Sequence, residues 1–291
     1  MIYEKLTRLE EIKKGWSGDK KYPAVDSNGN QYLLRIAPQA RMERRMAGFT
    51  RSRLAAQLNI PCPQPLECGV CAEGIYTIES WIEGSDAEAV ISSLPENKQY
   101  AYGLDAGRIL KAIHSLPAPA DAPDWEDYFS RKIDRKIAMY ESCPLKYEGG
   151  EAMLHYLRHN RHLLKNRPQT YQHGDYHIGN MMVDSGGRLV IIDFDKDDYG
   201  DPWEEFNRIA WCAQAAPYFA AGMVDGYFDC AVPSEFWSLL ALYICSNSLG
   251  SLPWAIPFGD GEIQTMQNQA ADILQWYDGM NRIIPSWYRR P

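Results

Sequence analysis

An α+β fold is predicted for this chain of 291 residues. A small antiparallel β-sheet carrying one helix comes first, and a large, mainly helical part follows. Two patterns support this. Up to about residue 83 the chain reads as short strand-like runs broken by turn residues, with one helical stretch between them. From residue 84 onward, apolar residues recur at helical spacing over long stretches. The expected division is therefore 1–83 and 84–291.

The elements follow in order. Tyr22–Asp26 and Gln31–Ala37 flank Ser27-Asn28-Gly29-Asn30, a turn signal that predicts a hairpin. A helix is predicted from about Arg41 to Leu58, stopping before Pro61 because the residue before a proline is pushed out of helical geometry. A second strand pair is predicted at Glu67–Cys71 and Gly74–Trp81. Farther on, Tyr102, Ala106, Ile109, Ile113 and Leu116 form one apolar helical stripe. Phe236, Leu239, Leu240, Tyr243 and Ile244 form another, and Ile263, Met266, Ala270, Ile273, Leu274 and Tyr277 a third. Between them, Asn180–Asp184 and Arg188–Asp193 read as a short hairpin turning at Ser185-Gly186-Gly187.

Composition narrows the function classes. Hydrophobic residues at 45% and charged residues at 23% are those of a globular chain. A net charge of −8 argues against a nucleic-acid partner, which needs a basic surplus, and is compatible with a cationic ligand. The N-terminal MIYEKLTRLEEIKKG lacks the apolar core of a signal peptide. The longest apolar stretch, Phe236 to Cys245, is interrupted by Ser238 and is too short to span a bilayer, so no membrane partner is expected. Seven scattered cysteines suggest reduced thiols and a cytoplasmic protein. Cys68 and Cys71 form a lone C-x-x-C without the second pair a zinc site needs.

The informative run is Tyr171-Gln-His-Gly-Asp-Tyr-His-Ile-Gly-Asn-Met-Met-Val-Asp184, followed by Leu189-Val-Ile-Ile-Asp-Phe-Asp195. Asp175 and Asn180 fall on a tight loop entering a strand, and Asp193 closes the next strand. Phosphoryl transfer from a nucleotide needs a carboxylate to orient the acceptor hydroxyl. It also needs hard oxygen ligands for magnesium and a cation facing the phosphates.

His173-Gly-Asp175, Asn180 and Asp193-Phe-Asp195 match the spacing of the protein-kinase catalytic and metal loops, with Gly for Arg and Asp for the last Gly. With Gly200-Asp-Pro-Trp-Glu-Glu205, these residues resemble the aminoglycoside phosphotransferase family over nearly the whole chain. The resemblance implies a bilobal protein-kinase-like fold, with a nucleotide-binding lobe at 1–83 and a catalytic and substrate-binding lobe at 84–291. It implies Asp175 as the residue that takes or orients the hydroxyl proton, with His177 close to the transferred phosphate. His173 would brace the loop. Asn180 and Asp193 would hold magnesium, and ATP or GTP would be the donor.

In the first lobe the resemblance places Ser17, within Lys14-Gly-Trp-Ser-Gly-Asp-Lys20, over the phosphates. Arg35 stands where the family's strand lysine binds them, and Glu43 is the only acid in the helix that could pair with it. Ile78-Glu-Ser-Trp-Ile-Glu-Gly84 resembles the hinge, where the Ser80 carbonyl and Ile82 amide would read the base. The acceptor is expected to be a small molecule bearing a hydroxyl. An aminoglycoside would be met by acids such as Asp195, Asp197, Asp198 and Glu204, with Glu205 alternatively bracing the catalytic loop. The alternatives are a macrolide or a metabolite such as choline, homoserine or a sugar, the aromatic residues of the second lobe suiting choline. A further alternative is a nucleotide-binding regulatory protein with weak catalysis. No protein partner is expected.

Overall fold

The computed structural model describes residues 1–13 and 18–291. Contacts divide the chain into two compact units, one of Met1–Asp86 with Met181–Asp197, the other of Ala87–Asn180 with Asp198–Pro291.

In the first unit, β1 (Thr7–Arg8), β2 (Lys20–Val25), β3 (Gln31–Ala37), β4 (Pro65–Cys71) and β5 (Gly74–Ser80) form an antiparallel sheet in the order β1-β2-β3-β5-β4. The β2–β3 turn is held by Asp26, whose Oδ1 accepts the Asn28 and Asn30 amides at 2.9 and 3.0 Å. Side chains alternate along each strand, so the register sorts them by face. Ala24, Leu34, Ile36, Tyr76 and Ile78 form a buried apolar cluster on one face, against which Ile2, Tyr3 and Leu6 pack. On the other face Lys21 stands opposite Arg35, and Arg35 opposite Thr77. Helix α1 (Met42–Ala56) packs on β4 and β5. The strand β6 (Gly84–Asp86) pairs with β8 (Met181–Asp184), and β8 with β9 (Leu189–Ile191). This pairing is why the 181–197 segment belongs to the first unit although it follows the first helices of the second in sequence.

The second unit contains α2 (Ala87–Ser92), α3 (Glu96–Ile113), α4 (Trp125–Ser142), α5 (Gly150–His159), α6 (Ile209–Ala215), α7 (Pro217–Tyr227), α8 (Ser234–Ala255) and α9 (Asp260–Trp276). A two-stranded ribbon pairs β7 (Thr170–Gln172) with β10 (Asp198–Gly200). Helices α3 and α7 lie backbone to backbone. A methyl group on Gly103 would sit 2.2 Å from the Phe219 carbonyl oxygen, and one on Gly222 2.3 Å from that of Tyr100. Gly107 and Gly226 make the same approach one turn on, so glycine is required at all four positions.

Helix α8 runs well past the apolar stretch read from sequence. By length and composition the 234–258 segment could cross a membrane, yet 67% of its apolar window is buried inside the structure. It packs against α4, α5 and α9 and forms the apolar spine of this unit.

Candidate active site

The loop after β7 carries Asp175, and its geometry is set by a buried carboxylate. Gly174 has φ +83°, a conformation that favours glycine. Its amide donates to Glu205 Oε1 and Oε2 at 2.9 and 3.2 Å, and the Tyr176 amide donates to Oε1 at 3.4 Å. Burial works against the charge of Glu205, but His114, His173 and the Gly174 amide outweigh it and hold its pKa below the usual carboxylate value. The Tyr176 hydroxyl donates to the Ala106 carbonyl at 2.7 Å, tying the loop to α3. Glu205 therefore braces the loop, as one of the two sequence expectations for it had it, and His173 accepts the Asp175 amide at 3.3 Å.

Asp175 and Asn180 come together. The Asn180 side-chain amide donates to the Asp175 carbonyl at 2.9 Å and to its Oδ2 at 3.2 Å. These bonds use the nitrogen end of the amide, and its Oδ1 accepts no hydrogen bond from the described residues. His177 lies beside them. Its Nδ1 accepts the Gly179 amide at 3.1 Å, and its Nε2 lies 3.3 Å from the Asn180 side-chain nitrogen and 3.8 Å from Asp175 Oδ1. Arg208, not singled out from sequence, places Nε 3.2 Å from Asp175 Oδ1. It follows Glu204-Glu205 by a few residues, and only the turn after β10 brings it back to the loop.

In the first unit Arg35 faces the carboxylates of the 193–195 segment. Its Nη1 donates to Asp193 Oδ1 at 2.9 Å and also to Asp195. Lys21 Nζ lies 3.9 Å from Asp193 Oδ2. Extending the β2–β3 hairpin register by one residue would have shown that Lys21 flanks Arg35. Burial opposes the Arg35 charge, but Asp195, Glu79 and Asp193 outweigh it and push its pKa up. Burial also opposes the Asp193 charge, but Arg35 and Lys21 outweigh it and hold its carboxyl well below the usual range. Asp193 itself sits in the left-handed region at φ 67°, an uncommon place for a side-chain-bearing residue.

The expectation that Glu43 pairs with Arg35 is corrected. Glu43 is exposed in the first turn of α1 and makes no ion pair among the described residues. The helix faces the loop with Arg45, Gly48 and Arg51, spaced three apart. Glu43 precedes Arg45 by two residues, which turns it roughly 200° away. Arg45 contacts Asp195 and Asp19, and Arg51 binds Asp197 through two nitrogens, Nη2 at 3.0 Å from Oδ1. Gly48 lies between them against Asp197, where a methyl group would come into ordinary contact at 3.6 Å from Oδ1. The partners of Arg35 are thus Asp193 and Asp195, with Glu79 near enough on β5 to act on its charge.

In the segment expected to be the hinge, the Ser80 amide donates to the Gln64 carbonyl at 2.9 Å, while the Ile82 amide has no acceptor among the described residues. Ser17 falls outside the described residues. The acids expected at the acceptor are dispersed. Asp195 and Asp197 belong to the first unit and are engaged by arginines. In the second, Asp198 caps its neighbour's amide on β10, and Glu204 meets Lys132 Nζ at 3.1 Å. Cys68 and Cys71 lie on β4, and no metal-holding group of three or more His, Cys, Asp or Glu residues forms among the described residues.

A family model described as the phosphotransferase enzyme family, APH, matches residues 8–236. No curated protein sequence matches. Among solved structures, a thermostable mutant of aminoglycoside phosphotransferase APH(4)-Ia, in ternary complex with ADP and hygromycin B, superposes with a TM-score of 0.66 at 18% identity, covering 94% of this chain and 96% of that one. A choline/ethanolamine kinase family protein from Mesorhizobium loti gives 0.67 at 16% identity, covering 97% and 92%. The amicoumacin kinase hAmiN, in complex with AMP-PNP, calcium and Ami, gives 0.65 at 15% identity, covering 97% and 90%. At these identities the likeness shows a shared kinase-like fold.

Proposed function

The chain belongs to the phosphotransferase enzyme family, APH, and on that premise we propose that it moves the γ-phosphoryl group of ATP or GTP to a hydroxyl of a small molecule with magnesium. The observation that carries this is the Asp175 carboxylate, held by Asn180 and Arg208 on a loop braced by Glu205. The acceptor oxygen attacks the γ-phosphorus, and its proton passes to the Asp175 carboxylate. The bond from the γ-phosphorus to the bridging oxygen breaks, and the electron pair leaves with the nucleoside diphosphate. Arg35 and Lys21 supply positive charge to the phosphates, while the Ser80 carbonyl and the Ile82 amide read the base through backbone groups. His177 keeps the Asp175–Asn180 pair in register.

Asn180 Oδ1 and the Asp193 carboxylate are the proposed magnesium ligands. Both are hard oxygen donors, and the anchored nitrogen of Asn180 leaves its oxygen available. Held there, magnesium would neutralise charge on the phosphates.

Replacing Asp175 by Ala should lower kcat by about 10²–10⁴-fold with nucleotide binding nearly unchanged. Release of nucleoside diphosphate from the purified chain, with and without acceptors, measures this; unaltered turnover would sink the assignment. An aminoglycoside acceptor is supported by APH(4)-Ia, whose complex holds hygromycin B. It would call for carboxylates free to meet ammonium groups, and the interior acids of the second unit are committed. Asp201 is paired with Arg167, Glu204 with Lys132 and Asp225 with Arg290.

A further inference from the structure

Arg208, which touches Asp175, shares its surroundings with two lysines of α4. Lys132 and Lys136 stand one turn apart on α4, on the same side of the helix. Lys132 is held by Glu204 and lies over the Phe129 ring, 4.9 Å from its centre. The Lys136 stem lies against α8 at Gly250, where a methyl group would come 3.1 Å from Lys136 Cε. The glycine lets the stem lie flat and its ammonium reach the cluster.

Lys136 makes no ion pair among the described residues. The charges acting on it are Lys132, Arg208 and Arg135 against one carboxylate, Glu204, and burial followed by Lys132 lowers its pKa to about 7. Arg208 in turn touches Asp175. A half-buried ammonium beside three other cations is costly unless something brings the counter-charge. The side chains of Lys132 and Arg208 are 25% and 28% exposed, so a solute can reach them.

We propose that the acceptor carries, besides its hydroxyl, a carboxylate or phosphate group bound by Lys136 with Lys132 and Arg208. This rests on Asp175 being the residue that receives the hydroxyl proton. A hydroxyl set near the anionic group then meets Asp175 across Arg208. A polycationic acceptor would meet repulsion from the same three side chains.

The test uses the full chain with AMP-PNP present, so that the cations facing the nucleotide phosphates are occupied. Calorimetry with inorganic phosphate and with D-glycerate should show binding that is lost in Lys136→Met and kept in Lys136→Arg. Turnover is then followed with MgATP and D-glycerate, glucose 6-phosphate, glucose or kanamycin. An anionic acceptor should be phosphorylated, with its KM about tenfold higher in Lys136→Met, the size expected for one charge-assisted contact. Glycerate against glucose 6-phosphate separates the carboxylate from the phosphate source. Failure of both anions to bind would overturn the proposal, as would binding and KM unaltered in Lys136→Met, or phosphorylation of kanamycin alone. If anions bind at Lys136 but Asp175→Ala changes no turnover, the phosphotransferase proposal fails and the anion site stands.

Discussion

Asp175 is held by atoms that no local pattern announces. Its loop motif, with Asn180 five positions on, was legible because the spacing itself encodes the turn. The backbone bonds to Glu205 come from thirty residues downstream, and a carboxylate there could as well have faced solvent. In the structure Glu205 accepts the Gly174 and Tyr176 amides while nearly fully buried. Glu205→Ala would leave these amides unsatisfied and His114 without its anion, so it should cost about 3 kcal/mol of stability, read as a lower urea midpoint. The same variant should lower kcat more than it raises the nucleotide KM, because it moves Asp175 and leaves Arg35 untouched. A midpoint within error of the parent chain would refute the bracing role.

Among the elements, α1 departs most from expectation. Its helical extent was readable from Pro61 and the residue pattern, but its orientation was not, since Arg41, Arg44, Arg45, Arg51 and Arg53 surround the axis. Packing of the loop at 193–197 selects Arg45 and Arg51, which meet Asp195 and Asp197. Arg51→Ala should raise the KM for magnesium-nucleotide by about ten- to a hundred-fold, the range for residues that orient a metal ligand's surroundings. Arg51→Lys should recover part of this, since lysine keeps the charge and loses the two-pronged geometry. Steady-state kinetics over a magnesium series would show it, and parent-like constants in Arg51→Ala would count against the clamp. For α3 and α7, Gly222→Ala sets two effects against each other. Helix propensity favours alanine by about 1 kcal/mol, while overpacking costs about 1–3 kcal/mol. The obstructing atom is a backbone carbonyl that cannot rotate away, so a lower melting temperature is expected; an increase would show that the helices separate freely.

For the whole molecule, pH dependence follows from carboxylates tying distant segments together. Asp225 on α7 accepts from Tyr100, Tyr288 and Arg290, binding the C-terminal segment to α3 and α7. Burial opposes its charge, but Arg290, Tyr100 and Tyr288 outweigh it, and its pKa lies below the ordinary value. Glu205 is lowered in the same direction. Both would titrate near pH 4 in the unfolded chain. Groups depressed by folding contribute stability that is fully present above that value and is lost as pH falls through it toward the folded pKa. The melting temperature should therefore drop between about pH 5 and 3. Asp225→Asn should be less stable at pH 7 and show a shallower drop, and a slope equal to that of the parent chain would remove Asp225 from the account.

By itself the sequence determined the two main hairpins of the first unit, α1, the stripes of α3, α8 and α9, the Asp175–Asn180 loop motif and the phosphotransferase family, because alternation, helical spacing and loop motifs are local and each residue's type carries the signal. Only the tertiary structure decided which side chains surround Asp175, Asp193 and Lys136. Glu43 and Arg45 are two residues apart on one helix, and nothing in their spacing says which faces the loop. Partners such as Lys21, Glu205, Arg208 and Gly250 are joined by strand register, by a turn after β10 and by the close approach of α4 to α8. Those contacts arise from packing between segments far apart in the chain, where pairing depends on distance in space.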